Sequence, residues 1–312
     1  MALRLTVQRA AWESHVQSVV ASVDGLIPVV KGNGYGFGRR NLHPIAAGVS
    51  DFVAVGTVDE LDGVAPGVTP VVLTPTLAPP ATTAVVLTIG SIEQVKALSG
   101  WSGRVLVKLQ SSMRRYGATP AELEQVVADA TAAGLDVIGC SLHLPLAGTD
   151  LDRIAEIEAW LARLDPRQPL WVSHLQPESF ATLQRRHSDR RFLLRAGTSL
   201  WHGDKSFLHL HADVLALHEV HRGERAGYHL TEIPGDGHLA IVGAGSAHGI
   251  AALGDGSSPF HFGRTRLALL EAPHMHTSMV LAPSGTICPA VGDQIDVQRP
   301  LIATFVDEVE WV

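Results

Sequence analysis

Apolar runs of five to eight residues recur along the first two thirds of the chain, each closed by a polar turn and usually followed by residues at helical spacing. The runs are LIPVVK (26–31), DFVAVG (51–56), VTPVVL (68–73), TTAVVL (82–87), GRVLVKL (103–109), LDVIGCSL (135–142), PLWVSH (169–174) and RRFLLR (190–195). Helical spacing falls at 39–49, 57–63, 91–99, 119–133, 150–164 and 177–187, and residues 3–22 read as a short strand and then a helix. Thr119, Pro120 and Glu122 predict a helix start with a capping box, in which hydroxyl and carboxylate each satisfy a free backbone N–H.

Short, continuous Val/Leu/Ile strands alternating with helices predict a parallel sheet covered on both faces. A doubly wound open sheet has the same alternation. Eight units in about 200 residues favour a TIM (β/α)8 barrel. After residue 205 helical spacing stops, and HADVLALHEV, RAGYHL, HLAIVGAG, TRLALLEA, TSMVLA, DQIDV and TFVDEVEWV read as strands between Gly, Pro and Asp turns. The expected organisation is a barrel over 1–205 and an all-β domain over 206–312.

Composition narrows the function classes. The chain has 312 residues, 46% of them hydrophobic and 18% charged, which excludes a disordered chain. With 24 Lys+Arg against 31 Asp+Glu the net charge is −7, which argues against a nucleic-acid groove or an anionic membrane surface. No apolar run reaches the roughly 18 residues of a membrane span, and the N-terminal residues do not read as a signal peptide. Two cysteines, Cys140 and Cys288, fit a reduced, cytoplasmic setting. Histidine is abundant, at 16 residues against three tyrosines.

In a barrel the chemistry sits at the C-terminal strand ends. Those ends carry Lys31, Lys108, His143, His174 and Arg195, a rim of cationic and titratable groups that predicts an anionic ligand such as a phosphate or carboxylate. Lys31 closes the first run and is followed by GNGYGFG, a loop whose glycines let backbone approach a ligand. A lysine with a largely buried stem among cations becomes an amine nucleophile for carbonyls. A strand-end lysine reaching out to solvent fits the same residues.

VVKGNGYGFG resembles the cofactor-lysine motif of the alanine racemase family, pyridoxal phosphate enzymes of fold-type III, with Lys31, Asn33, Tyr35 and Gly36 in the motif's places. KLQSSMRRYG (108–117) resembles a second segment of that family through Lys108, Met113, Arg115 and Gly117, with Gln110 and Ser112 departing. RAGTSLWHG (195–203) resembles a third, with Trp201 in place of a tyrosine. LHLPLAG (142–148) and SHLQPES (173–179) resemble the family's sixth and seventh strand ends.

The resemblance implies pyridoxal 5'-phosphate as cofactor and an amino acid or amine as substrate. Lys31 would bond the cofactor aldehyde, and Tyr35, Gly197 and Thr198 would hold its phosphate, with Ser179 aligning at one extra residue. Arg195 would face the pyridine nitrogen, His143 and His174 would line the cofactor, and Arg115 would contact its phenolic oxygen or the substrate carboxylate. Lys108 marks a place where the family can carry a carbamylated lysine. The implied assembly is a homodimer, each β domain completing the other chain's site.

One departure bears on the reaction. The family's second base is a tyrosine in Gly-Tyr-Ala-Asp-Gly. Here GSAHG (245–249) puts Ser246 at the tyrosine's place and His248 at the aspartate's. Serine has no pKa near neutrality, whereas histidine does, so His248 is the candidate second base. The expectation is a racemase or epimerase acting at the α-carbon. The alternatives are a one-base relative, decarboxylase or eliminase, and a cofactor-binding protein without catalysis. His274 and His276 read as structural, no metal is expected, and His209, His211, His218 and His221 read as surface-strand residues.

Overall fold

The computed structural model describes residues 3–312 and divides the chain into two compact units. One comprises Ser14–Gly34 and Arg39–Trp201; the other comprises the N-terminal stretch through Glu13, Tyr35–Gly38 and His202–Val312.

The first unit is an eight-stranded parallel sheet. Its strands are β1 (Leu26–Pro28), β2 (Phe52–Val55), β3 (Thr69–Val72), β4 (Val86–Ile89), β5 (Arg104–Leu109), β6 (Asp136–Leu142), β7 (Leu170–Ser173) and β8 (Phe192–Ala196). Strands β2 to β8 pair in chain order, β1 pairs with β8, and a parallel bridge between Val29 and Ala54 joins β1 to β2 and closes the barrel. Every residue of β4, β7 and β8 is buried. That burial on both faces is why these strands read as unbroken apolar runs rather than alternating ones. The edge-on pair of Phe52 and Trp171, with ring centroids 5.2 Å apart, packs β2 against β7.

Two helix starts differ from expectation. The carboxylate of Glu122 accepts both the N–H and the hydroxyl of Thr119, at 3.0 and 2.7 Å, so that hydroxyl is a donor there and the box is one-sided; the helix begins at Leu123. The reciprocal box forms at Thr149 and Asp152, before helix Asp150–Leu161. Over 57–63 only one 3-10 turn forms, Val58–Glu60, because the Glu60 carboxylate folds back onto backbone N–H groups.

The second unit is built on a nine-stranded sheet. Its long strand Leu208–Val220 pairs antiparallel with Leu3–Val7, Gly237–Val242 and Gln294–Val297. Leu3–Val7 also pairs in parallel with Glu308–Trp311. Leu3, Leu5 and Val7 are fully buried while Arg4 and Thr6 between them are half-buried, the alternation of a sheet with one apolar face. His211 lies opposite Arg4 and Asp296 on neighbouring strands and is buried, contrary to its surface reading; flanking strands on both sides remove its solvent. Among the described residues no helix is long and apolar enough to cross a membrane.

Candidate active site

The parallel order brings Lys31, Lys108, His143, His174 and Arg195 to the C-terminal end of one barrel. Lys31 lies just past β1, where Val29 N–H donates to Ala196 O and Val30 N–H donates to Ala54 O, both at 2.8 Å. The residue as a whole is exposed at the rim, while its amine is partly shielded from water. Loss of water around the amine lowers its pKa below the usual lysine value, and Arg115 and Arg195 lower it further; Glu60 alone opposes them.

Lys108 is 4% exposed. Burial holds its pKa well below the ordinary lysine value, with Arg195, Arg115 and Lys31 pushing the same way and no carboxylate among the groups acting on it. Arg195 is also buried, and its Nη2 and Nε donate to Leu142 O at 2.8 Å and Val172 O at 3.4 Å. Burial brings its pKa to about 10, so it stays a cation at neutral pH. Two arginines and two lysines of lowered pKa thus share a site in which one carboxylate, Glu60, acts on Lys31. Such a set favours an anionic ligand, because buried charge without a counter-charge is costly.

Two histidines line the same end, with ring centroids 4.7 Å apart. His143 has its pKa pushed down to about 2, first by burial and then by Arg195, and is neutral. Its Nδ1 lies 3.0 Å from Ser173 Oγ, which also accepts Leu144 N–H at 3.2 Å. His174 adopts φ 62°, an uncommon conformation for a residue with a side chain, and its Nδ1 donates to Leu144 O at 2.7 Å. A carbonyl only accepts, so the lone pair of neutral His174 is on Nε2.

Arg115, on the loop after β5, stacks over Tyr116 at 4.6 Å. Gly197 and Thr198 form the entry to the short helix Thr198–Trp201, whose turn closes through Leu200 N–H and Trp201 N–H on Gly197 O. The leading N–H groups of such a turn are free for an anion. Ser179 sits within helix Pro177–Arg186, with its hydroxyl hydrogen-bonded to Asp150.

The remaining candidates lie in the second unit. Tyr35 is buried at φ 57° in the turn Gly34–Gly36, and its carbonyl accepts from His202 Nε2 at 2.7 Å. In the 3-10 turn Ser246–His248, Ser246 is exposed and its N–H donates to His274 O at 2.7 Å. His248 is buried, and both ring nitrogens are engaged: Nδ1 accepts Gly245 N–H at 3.0 Å and Nε2 faces the Asp307 carboxylate at 3.2 Å. Nδ1 is therefore the unprotonated nitrogen, and its lone pair already serves the turn. His274 instead bonds Glu271, whose pKa falls to about 2.

Sequence reasoning missed Glu60, Arg39 and Ser173. Glu60 is the acid that follows β2 at the rim, and that position was its one available signal.

The donor set fits pyridoxal 5'-phosphate: an amine of depressed pKa on an exposed rim residue, a buried arginine that stays charged, a helical turn after β8, and a surplus of positive charge. No curated protein sequence matches the chain. Its fold is similar to alanine racemase from Bartonella henselae with covalently bound pyridoxal phosphate, with TM-score 0.73 and 18% identity over 96% of this chain and 91% of that one. It is similar to alanine racemase from E. faecalis, with TM-score 0.71 and 18% identity over 99% and 98% of the two chains. A third match is alanine racemase from D-cycloserine producing Streptomyces lavendulae, with TM-score 0.71 and 20% identity over 95% and 87%. The family model "Alanine racemase, N-terminal domain" matches residues 7–204, a stretch that contains every strand of the barrel and each cation of its rim, and the chain belongs to that family.

Proposed function

We propose that the chain is a pyridoxal 5'-phosphate enzyme acting at the α-carbon of an amino acid, in a homodimer, with racemisation or epimerisation as its chemistry. The observation that carries the reading is Lys31, an exposed rim residue whose amine has a lowered pKa, beside buried Arg195 and Lys108. When bound, the cofactor makes an α-proton of an amine substrate acidic. Lys31 then takes or returns a proton on the face it occupies. Its low pKa serves that task, since a base works best near the operating pH. Arg195 keeps its own proton, so a ring nitrogen beside it stays unprotonated and the ring is a weaker electron sink. That restraint favours proton exchange over transamination. Gly197 and Thr198 hold the phosphate with backbone N–H groups, and Arg115 draws in the substrate carboxylate.

A second reading, one-face chemistry such as decarboxylation or elimination, is favoured by Ser246 and by the engagement of both His248 nitrogens.

Titration of the cofactor-free chain with pyridoxal 5'-phosphate tests the proposal. A saturable visible absorption band, bleached by borohydride, is expected. A chain that stays colourless in excess cofactor contradicts both readings.

A further inference from the structure

Lys31 is followed by a peptide whose polar groups are both held. Lys31 O accepts Gly34 N–H at 3.0 Å, and Gly32 N–H donates to Glu60 Oε1 at 2.9 Å. The plane leaving the lysine's Cα is therefore set at both ends. One peptide on, Gly32 O accepts from Arg39 Nη1 at 2.7 Å. The second Glu60 oxygen accepts Gly56 N–H at 2.7 Å, which ties the exit of β1 to the exit of β2. Gly32 has φ +60° with nothing within 4 Å of where a Cβ would stand, so glycine is required there for its backbone conformation and not for room.

We propose that Glu60 and Arg39 are positioning residues for Lys31, clamping the two sides of Gly32 with opposite charges. The lysine side chain has to reach its target from an exposed rim, and a flexible four-carbon stem gives no direction of its own. Direction then comes from the backbone, and these two side chains supply it. Glu60 acts in a second way. The charged groups that act on Lys31 are Arg115, Arg195 and Glu60, and Glu60 is the one that favours the ammonium form. Removing its charge leaves Lys31 among cations alone.

The inference rests on Lys31 being the lysine that bonds the cofactor, yet it is testable without cofactor. Competitive acetylation of the cofactor-free chain across a pH series, read by mass spectrometry, follows each amine. In Glu60→Gln the Lys31 profile moves to lower pH, while Lys96 and Lys205 in the same sample do not move. A glutamine presents one acceptor oxygen and one donor, so it also loses one of the two backbone bonds. Arg39 tests position separately from that charge. Arg39→Met slows development of the visible band with cofactor by about tenfold, the factor expected for one lost charge-assisted bond. Arg39→Lys restores it, because one donor to Gly32 O suffices. A Lys31 acetylation profile in folded Glu60→Gln that superimposes on wild type overturns the proposal. Should Glu60→Gln fail to fold, equal rates for Arg39→Met, Arg39→Lys and wild type overturn it. A wild-type chain that takes up no cofactor refutes the enzymatic reading and leaves the acetylation result to decide this one.

Discussion

Lys31→Ala is expected to abolish the visible band with pyridoxal 5'-phosphate and to lower α-proton exchange by about 10²–10⁴-fold or more, the range for losing a general acid–base group. On the proposed reading the variant loses both the bond to the cofactor and the proton carrier on one substrate face. The fold survives, because the side chain is exposed and the strand exit is held by backbone bonds from Val29 and Val30. Circular dichroism and a spectral titration check both halves. The wild-type pH profile follows from the same residue. A lysine whose pKa is lowered by lost hydration and by Arg115 and Arg195 sheds its proton at lower pH than an ordinary lysine. Exchange therefore rises with pH through that depressed value and is already substantial below the usual lysine range. A Lys31→Ala chain that still colours with cofactor moves the cofactor bond to another amine.

The second large effect concerns stereochemistry. Racemisation removes a proton from one face and returns it on the other. Lys31 serves one face. Ser246 is exposed but has no pKa near neutrality, and His248 already uses its Nδ1 lone pair for Gly245 N–H and its Nε2 proton for Asp307. If nothing else supplies a proton on the second face, inversion lags exchange by about 10²–10⁴-fold, as the one-face reading requires, whereas inversion that keeps pace with exchange supports racemisation. In the one-face case each enantiomer of a reactive amino acid incorporates deuterium with retention in deuterated buffer. His248→Ala then leaves exchange unchanged and instead lowers stability by about 1–3 kcal/mol, because it leaves the buried Gly245 N–H without an acceptor. Its melting temperature and its exchange rate separate the two roles. Inversion as fast as exchange, lost on His248→Ala while melting is unchanged, would restore the histidine to the chemistry.

The barrel was legible because its strands are buried on both faces. Eight apolar runs in about 200 residues favour a barrel over an open sheet, and the strand ends then point to Lys31, Lys108, His143, His174 and Arg195 without any coordinates. The clamp on Gly32 was not legible. Glu60 lies 28 residues from the backbone N–H it accepts, and its segment carries helical spacing, so periodicity predicts a helix where the carboxylate makes a turn. Position on a rim also says nothing about exposure: Lys31 is open and Lys108 buried, although both follow apolar runs. His248 shows a further limit. Residue type marks a group that can titrate, but only geometry reveals that both of its nitrogens are engaged. The capping motif at Thr119 failed for a similar reason: its hydroxyl donates to Glu122, but the helix begins only at Leu123, whose N–H bonds the Thr119 carbonyl rather than the hydroxyl.

The proposed function requires that one amine, Lys31 at the exit of β1, bonds the cofactor. Borohydride reduction of the chain loaded with pyridoxal 5'-phosphate, followed by peptide mapping, tests it directly. A single phosphopyridoxyl group on Lys31 is expected. Modification of Lys108 instead, or labelling spread over Lys96 and Lys205, would contradict it.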